Sequence, residues 1–278
     1  MLKLFTYLIS QGVATVKNIC PDLADGVRGL PKFTDAPCQS GCTACVDVCP
    51  TDAISILKID DKGNVRLDLG NCVACGMCVD VCPTGALANN PTTRVAVKSR
   101  QELVHLHPCQ GNEEAQGTSL IKATTTSSHV VAAPDSLEAA AWFSKSVAAR
   151  VVSTGCSACD MELGASGNPI FDMERFGVHV VASPRFADVL MVTGPVSKGM
   201  QAAMMSCYEA MSSPRVVIAL GTCAISGGVH RGGYAEANGV DSLLPVNVYI
   251  PGCPPHPWSI IHGVLLAMGK ENQAQPKK

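Results

Sequence analysis

Aromatic side chains are scarce in this chain: six Phe, four Tyr and two Trp, 4% of 278 residues. Any core must therefore be filled by Val, Ala, Leu, Ile and Met. Charge is thin as well, with 21 bases set against 23 acids and a formal balance of −2. That balance gives no basic footprint for nucleic acid. No run reaches the roughly 18 uninterrupted apolar residues of a spanning helix, so an integral membrane protein is not expected, while a peripheral one stays open. Gly and Pro, 25 and 18 residues, are too few for a collagenous or low-complexity chain. A hydrophobic share of 47% argues against disorder.

Cysteine is abundant. Fifteen is an odd number in a long chain, which argues against a secreted disulfide scaffold. Residues 1–20 are interrupted by Thr6, Ser10, Gln11 and Thr15 and do not read as a secretory leader. The expectation is a reducing cytoplasm, where clustered cysteines serve metal or redox chemistry.

The composition shifts along the chain. Residues 1–20 carry Leu2, Phe5, Ile9, Val13 and Val16 at helical spacing, with two Lys and no acid. Residues 21–109 contain two dense cysteine runs. Residues 110–140 are rich in Ser, Thr, Ala and Gly and read as a linker, with a short strand possible near Val130–Val131. Residues 141–278 have α/β texture: apolar runs at Arg150–Ser153, Val178–Ala182, Val189–Val192, Val216–Leu220 and Val246–Ile250 predict buried parallel strands. Helices are predicted at Asp172–Phe176, Ser197–Met211 and Pro257–Met268. This alternation predicts a flavodoxin-like, doubly wound parallel sheet, preceded by a small α+β two-cluster domain.

The two cysteine runs repeat about 33 residues apart. Cys72-x2-Cys75-x2-Cys78-x3-Cys82-Pro83 has the spacing of a bacterial 4Fe–4S motif. Cys38-x3-Cys42-x2-Cys45-x3-Cys49-Pro50 is one residue longer after its first cysteine, which predicts a widened loop. Three cysteines in a tight turn reach three corners of one cubane, and the fourth of each run ligates the opposite cluster in such domains. The assignment is Cys38, Cys42, Cys45 and Cys82 for one cluster, and Cys72, Cys75, Cys78 and Cys49 for the other. A pair of all-cysteine zinc sites is the alternative, disfavoured by the terminal Cys-Pro of each run.

Residues 1–90, with Arg28-Gly29-Leu30-Pro31 ahead of the first run, resemble the two-cluster ferredoxin subunits of complex I and of membrane-bound hydrogenases. The resemblance implies that the N-terminal helix lies along a membrane arm; an ordinary core helix is the bland alternative.

Four further cysteines follow predicted strands: Cys156 and Cys159, Cys223, and Cys253. In a doubly wound sheet such loops converge at the carboxyl edge, so three loops can deliver four thiolates to one place. Around them, Phe176-Gly177-Val178-His179, Val192-Thr193-Gly194-Pro195, Gly221-Thr222-Cys223-Ala224 and Pro251-Gly252-Cys253-Pro254-Pro255 resemble the small subunit of [NiFe] hydrogenases and the 20-kDa-type subunit of complex I. That resemblance implies a third [4Fe-4S] cluster on Cys156, Cys159, Cys223 and Cys253, facing a large subunit. The Cys156-x2-Cys159-Asp160-x-Glu162 phrase is most similar to the membrane-associated, complex-I-related (group 4) branch.

Weaker candidates remain. Asp160 and Glu162 read either as proton relays or as acids of a helix's first turn. His256 stands where the family usually has Arg, and reads as a cluster contact or a partner-facing side chain. Cys20, Cys109 and Cys207 fit no pattern and are expected to be free, Cys207 in a core. His105 and His107 near Cys109 suggest zinc only faintly and read as linker. Gly227-Gly228 and Gly232-Gly233 lack any phosphate-loop pattern, so no nucleotide site is expected.

The sequence-based expectation is thus an electron-transfer subunit with three [4Fe-4S] clusters and no catalytic residues of its own. Its implied partners are a [NiFe]-hydrogenase-like large subunit, membrane-arm subunits and an upstream donor protein, at the cytoplasmic face of the membrane. A quinone- or carrier-linked module without hydrogen chemistry and a non-enzymatic electron carrier are the alternatives.

Overall fold

A computed structural model describes residues 2–11, 18–24, 26–59, 62–109, 143 and 145–270. The predicted linker, including Val130–Val131, lies outside the described residues. So does the second half of the predicted N-terminal helix; its first half is α1 (Leu2–Gln11), which exposes Leu4, Tyr7 and Ile9. No helix among the described residues is long and apolar enough to cross a membrane.

The N-terminal part is built on β1 (Pro31–Phe33), which pairs antiparallel with β4 (Leu87–Asn89). Between these strands lie two one-turn helices, α2 (Ala44–Asp47) and α3 (Met77–Asp80), carrying Cys45 and Cys78. A hairpin of β2 (Ile54–Ile59) and β3 (Lys62–Asp68) separates the two cysteine runs. It extends to a three-stranded sheet through β5 (Val104–Pro108), which pairs antiparallel with β3. His105 and His107 are therefore strand residues, which corrects the linker reading: alternation in this short segment is weak, and the pairing with β3 supplies what local propensity does not.

The C-terminal sheet is fully parallel, with strands β6 (Val147–Ser153), β7 (Val178–Val180), β8 (Val189–Thr193), β9 (Val216–Leu220) and β10 (Val248–Ile250). Its order, β10-β9-β8-β6-β7, is the doubly wound order of flavodoxin-like folds, with the switch point between β6 and β8. The helices are α4 (Ala158–Ser166), α5 (Lys198–Ala210), α6 (Thr222–Ser226) and α7 (Pro257–Ala267). The short α6 is an addition to the sequence-based prediction, whereas α4 is the helix whose first turn holds Asp160, as the sequence reading allows. The Asp172–Phe176 segment forms a single 3-10 turn, Met173–Phe176.

Every residue of β8 and β9 is buried, and their side chains alternate between two cores. Val189, Met191, Val216, Ile218 and Leu220 meet Trp258, Ile261 and Leu265 of α7. Leu190, Val192, Val217 and Ala219 face Met204 of α5 in a core that also holds Val65, Leu67 and Leu103 from the N-terminal part. Cores of aliphatics with so few rings rest on many such burials, each contributing about 1.5–3 kcal/mol.

Candidate iron–sulfur sites

Two cavities occupy the N-terminal part. Cys38, Cys42, Cys45 and Cys82 line the first, among Phe33, Val65 and Leu87. Cys49, Cys72, Cys75 and Cys78 line the second, with Pro31, Ile54 and Leu67. Each cavity thus takes three cysteines from one run and the fourth from the other. The placement follows from local structure: each one-turn helix ends just before its run's last cysteine and carries the chain across to the opposite cavity.

Backbone amides aim at these sulfurs. The Ala53 N–H donates to Cys49 Sγ at 3.3 Å, and Ala74 N–H to Cys72 Sγ at 3.4 Å. At Cys82 burial raises the thiol, but N–H donors of Leu87, Thr84 and Ala86 and the Thr84 hydroxyl prevail, and its pKa falls. At Cys72 and Cys78 burial wins. It pushes Cys72 to about 12 and Cys78 to about 11, helped by neighbouring thiols. Thiols so crowded and desolvated hold their protons until a cation displaces them.

Cys38 is also pushed to about 12, by burial first and then by Cys109, whose thiol is in hydrogen-bonding contact with it. Cys38 and Cys109 form an isolated parallel bridge, and the Cys109 N–H donates to Gly63 O at 3.0 Å. The sequence showed no pattern for Cys109, because only the β3–β5 pairing delivers it there. His107 joins the same wall, stacked on Phe33 with ring centroids 4.8 Å apart and with Nε2 3.1 Å from Ala36 O. The other unpatterned cysteines sit elsewhere: Cys20 is buried with its thiol on Trp258 O, and Cys207 is half-buried on α5.

The third group gathers at the carboxyl edge of the parallel sheet. Cys156 leads into α4 and Cys159 lies in its first turn; Cys223 lies in α6 after β9, and Cys253 follows β10. Cys159 and Cys223 are buried, while Cys156 and Cys253 are exposed. Cys223 and Cys253 share a hydrogen bond, which raises the first thiol and lowers the second to about 7. Burial, with Cys253 and Cys156 nearby, pushes Cys159 to about 12. Glycine makes the room. Gly221 has φ +88°, and a Cβ there would stand 2.5 Å from Cys159 Sγ; one at Gly228 would stand 2.9 Å from Cys223 Sγ.

The remaining candidates act as fasteners in this structure. Asp160 accepts from Ser153 Oγ and from Thr193 Oγ1, both at 2.6 Å, bolting the first turn of α4 to the ends of β6 and β8. His256 caps α7, its Nδ1 accepting the Trp258 N–H at 3.2 Å. Burial lowers its pKa against the pull of Glu162. Glu162, His256 and Arg28 line one cavity between the two parts of the chain.

Contacts across that junction were not legible in the sequence. Thr222 Oγ1 donates to Cys72 O at 2.7 Å, and Ser226 Oγ to Gly70 O at 2.8 Å. Arg231 reaches Thr51 O and the Asp52 carboxylate, each at 3.2 Å. The second cavity therefore abuts the third group of cysteines.

The donor sets fit iron–sulfur clusters: soft thiolates, four to a site, with N–H donors and glycine-made space around the sulfurs. Among the described residues, no three His, Cys, Asp or Glu side chains close around a point as a single ion requires; in the N-terminal part the thiols ring cavities instead.

Comparison with known proteins agrees with both parts. The model of the NADH ubiquinone oxidoreductase 20 kDa subunit family matches residues 156–267, and that of the 4Fe-4S dicluster domain matches residues 37–86. The chain is 42% identical over 120 residues to formate hydrogenlyase subunit 7 of Escherichia coli, covering 43% of this chain and 47% of that protein. It is 44% identical over 121 residues to a probable membrane-bound hydrogenase subunit of Pyrococcus furiosus, covering 44% of this chain and 72% of that one. Against an NADH-quinone oxidoreductase subunit of a Roseiflexus species it is 45% identical over 125 residues, 45% of this chain and 46% of that protein. The match thus spans about half the length of the first and third of these relatives.

Proposed function

The chain belongs to the family of the 20 kDa subunit of NADH ubiquinone oxidoreductase, joined here to a 4Fe-4S dicluster domain, and from that premise we propose that it is a three-site electron relay. The observation that supports the reading is the division of eight cysteines between two cavities, with Cys156, Cys159, Cys223 and Cys253 close together beside the second. Each site, when loaded, would supply a [4Fe-4S] cluster that takes up and releases one electron. Residues 21–109 would hold two such sites and residues 141–278 the third.

The chain's own residues do the rest. Cys38, Cys42, Cys45 and Cys82 would hold the first site; Cys49, Cys72, Cys75 and Cys78 the second; Cys156, Cys159, Cys223 and Cys253 the third. The N–H donors on Cys72 and Cys82 favour the thiolate forms, in the first against burial. The third site is open to solvent at Cys156 and Cys253, beside Met161, which is 73% exposed, and Val229, which is 58% exposed. Such a surface suits a partner that covers the site and takes the electron onward.

That partner is proposed to be a [NiFe]-hydrogenase-like large subunit, since Cys156-x2-Cys159 follows the hydrogenase spacing. Membrane-arm subunits would hold the assembly at the cytoplasmic face, with exposed Leu4, Tyr7 and Ile9 of α1 as one contact, and a separate protein would feed the first site. A quinone-linked module is the second reading, favoured by the similarity to the NADH-quinone oxidoreductase relative.

The test is Cys159→Ser in the assembled complex. A poorer oxygen ligand should remove one EPR cluster signal and collapse hydrogen turnover coupled to the physiological donor, while the other two signals stay. Undiminished donor-coupled turnover contradicts the relay. Absence of any hydrogen turnover in the wild-type complex, with quinone reduction present, decides for the second reading.

A further inference from the structure

We propose that the Thr222 hydroxyl is a positioning bridge that couples the second cysteine site to the third. The inference rests on the relay reading above. Thr222 is 1% exposed, and its Oγ1 has two carbonyl neighbours: Cys72 O at 2.7 Å and Gly252 O at 3.2 Å. The Gly252 carbonyl already accepts the Thr222 N–H at 2.9 Å. The single hydroxyl proton therefore goes to the shorter contact, Cys72.

Thr222 is joined through its own backbone to Cys223, and Gly252 to Cys253. One hydrogen bond thus closes a route from the Cys72 sulfur, along its backbone carbonyl, through Thr222 to the Cys223 sulfur. Its only non-covalent step is 2.7 Å long. Electron tunnelling fades more slowly along bonds and hydrogen bonds than across van der Waals gaps, so this route outweighs a bare contact of equal length. The hydroxyl also fixes the spacing of the two sites, because it pins the loop of Cys72 to the turn that starts α6.

A second contact supplies the control. Ser226 Oγ crosses the same junction to Gly70 O at 2.8 Å, yet Gly70 holds no thiol. Loosening the junction in general would follow from losing either hydroxyl; losing the bridge follows only from Thr222.

The experiment uses the full chain in its complex, with a ruthenium photoreductant tethered at exposed Ser40 beside the first cavity. Flash reduction is followed by time-resolved EPR of the clusters in wild type, Thr222→Val, Thr222→Ser and Ser226→Ala, with iron counted in each. The expected result is unchanged iron throughout and third-site reduction several-fold slower in Thr222→Val alone. Thr222→Ser, which keeps the hydroxyl, should return to wild-type timing. Wild-type timing in Thr222→Val overturns the proposal, as does an equal delay in Ser226→Ala. Wild-type iron corresponding to two clusters is a different failure: it removes the third site and with it the relay reading.

Discussion

Cys82 closes the second cysteine run in sequence but lines the first cavity, and Cys49 does the converse. Cys82→Ser should therefore perturb the same EPR signal as Cys42→Ser and leave the signal lost in Cys75→Ser intact. A Cys82 variant that shares the Cys75 spectrum would mean each run serves its own cluster. The sequence reading assigns this exchange because the last cysteine of each run ligates the opposite cluster in two-cluster domains, and the cavity linings support it. Cys109 was not legible: it reaches Cys38 only through the pairing of β5 with the distant β3. The raised thiols carry a pH prediction. Cys38, Cys72 and Cys159, pushed to about 12, are protonated at neutral pH in the empty protein, so loading must expel protons. Cluster occupancy in anaerobic reconstitution should thus rise with pH across the neutral range, with proton release measurable in weakly buffered solution. Occupancy that falls with rising pH would contradict it.

At the scale of elements, the buried parallel strands were the plainest feature of the sequence. Unbroken apolar runs such as Val189–Val192 and Val216–Leu220 mark strands covered on both faces. The short α6 was hidden, since glycine and cysteine around a site rule its surroundings rather than an apolar stripe. The β2–β3 hairpin also went unseen, and it sets the loop that carries Cys72. Asp68, nearly buried at the end of β3, accepts from Arg66 and Arg100 at 2.9 Å and from the Gly70 N–H at 2.9 Å. Asp68→Ala strips these donors and should cost about 1–3 kcal/mol, read as a lower denaturant midpoint. Because Gly70 and Cys72 share that loop, the second cluster should also become the most labile to chelators. Unchanged stability and lability would show that the network is ornamental.

On the scale of the molecule, the two parts share a core. Leu67 and Leu103 lie in one cluster with Leu190, Val217 and Tyr249, and Val97 pairs with Tyr249 across the junction. Sequence composition marked two parts but not their common face, because nothing in either run of apolar residues says which partner it will meet. A fragment of residues 145–278 alone should expose that face and aggregate or melt well below the full chain, whereas separable domains would melt as the full chain does. The third site is decided by iron and acid-labile sulfide in the anaerobically purified chain. Three clusters predict about twelve of each, at about four per cluster, with Cys253 protected from alkylation. About eight of each, with Cys253 freely alkylated, would mean two clusters and no third site.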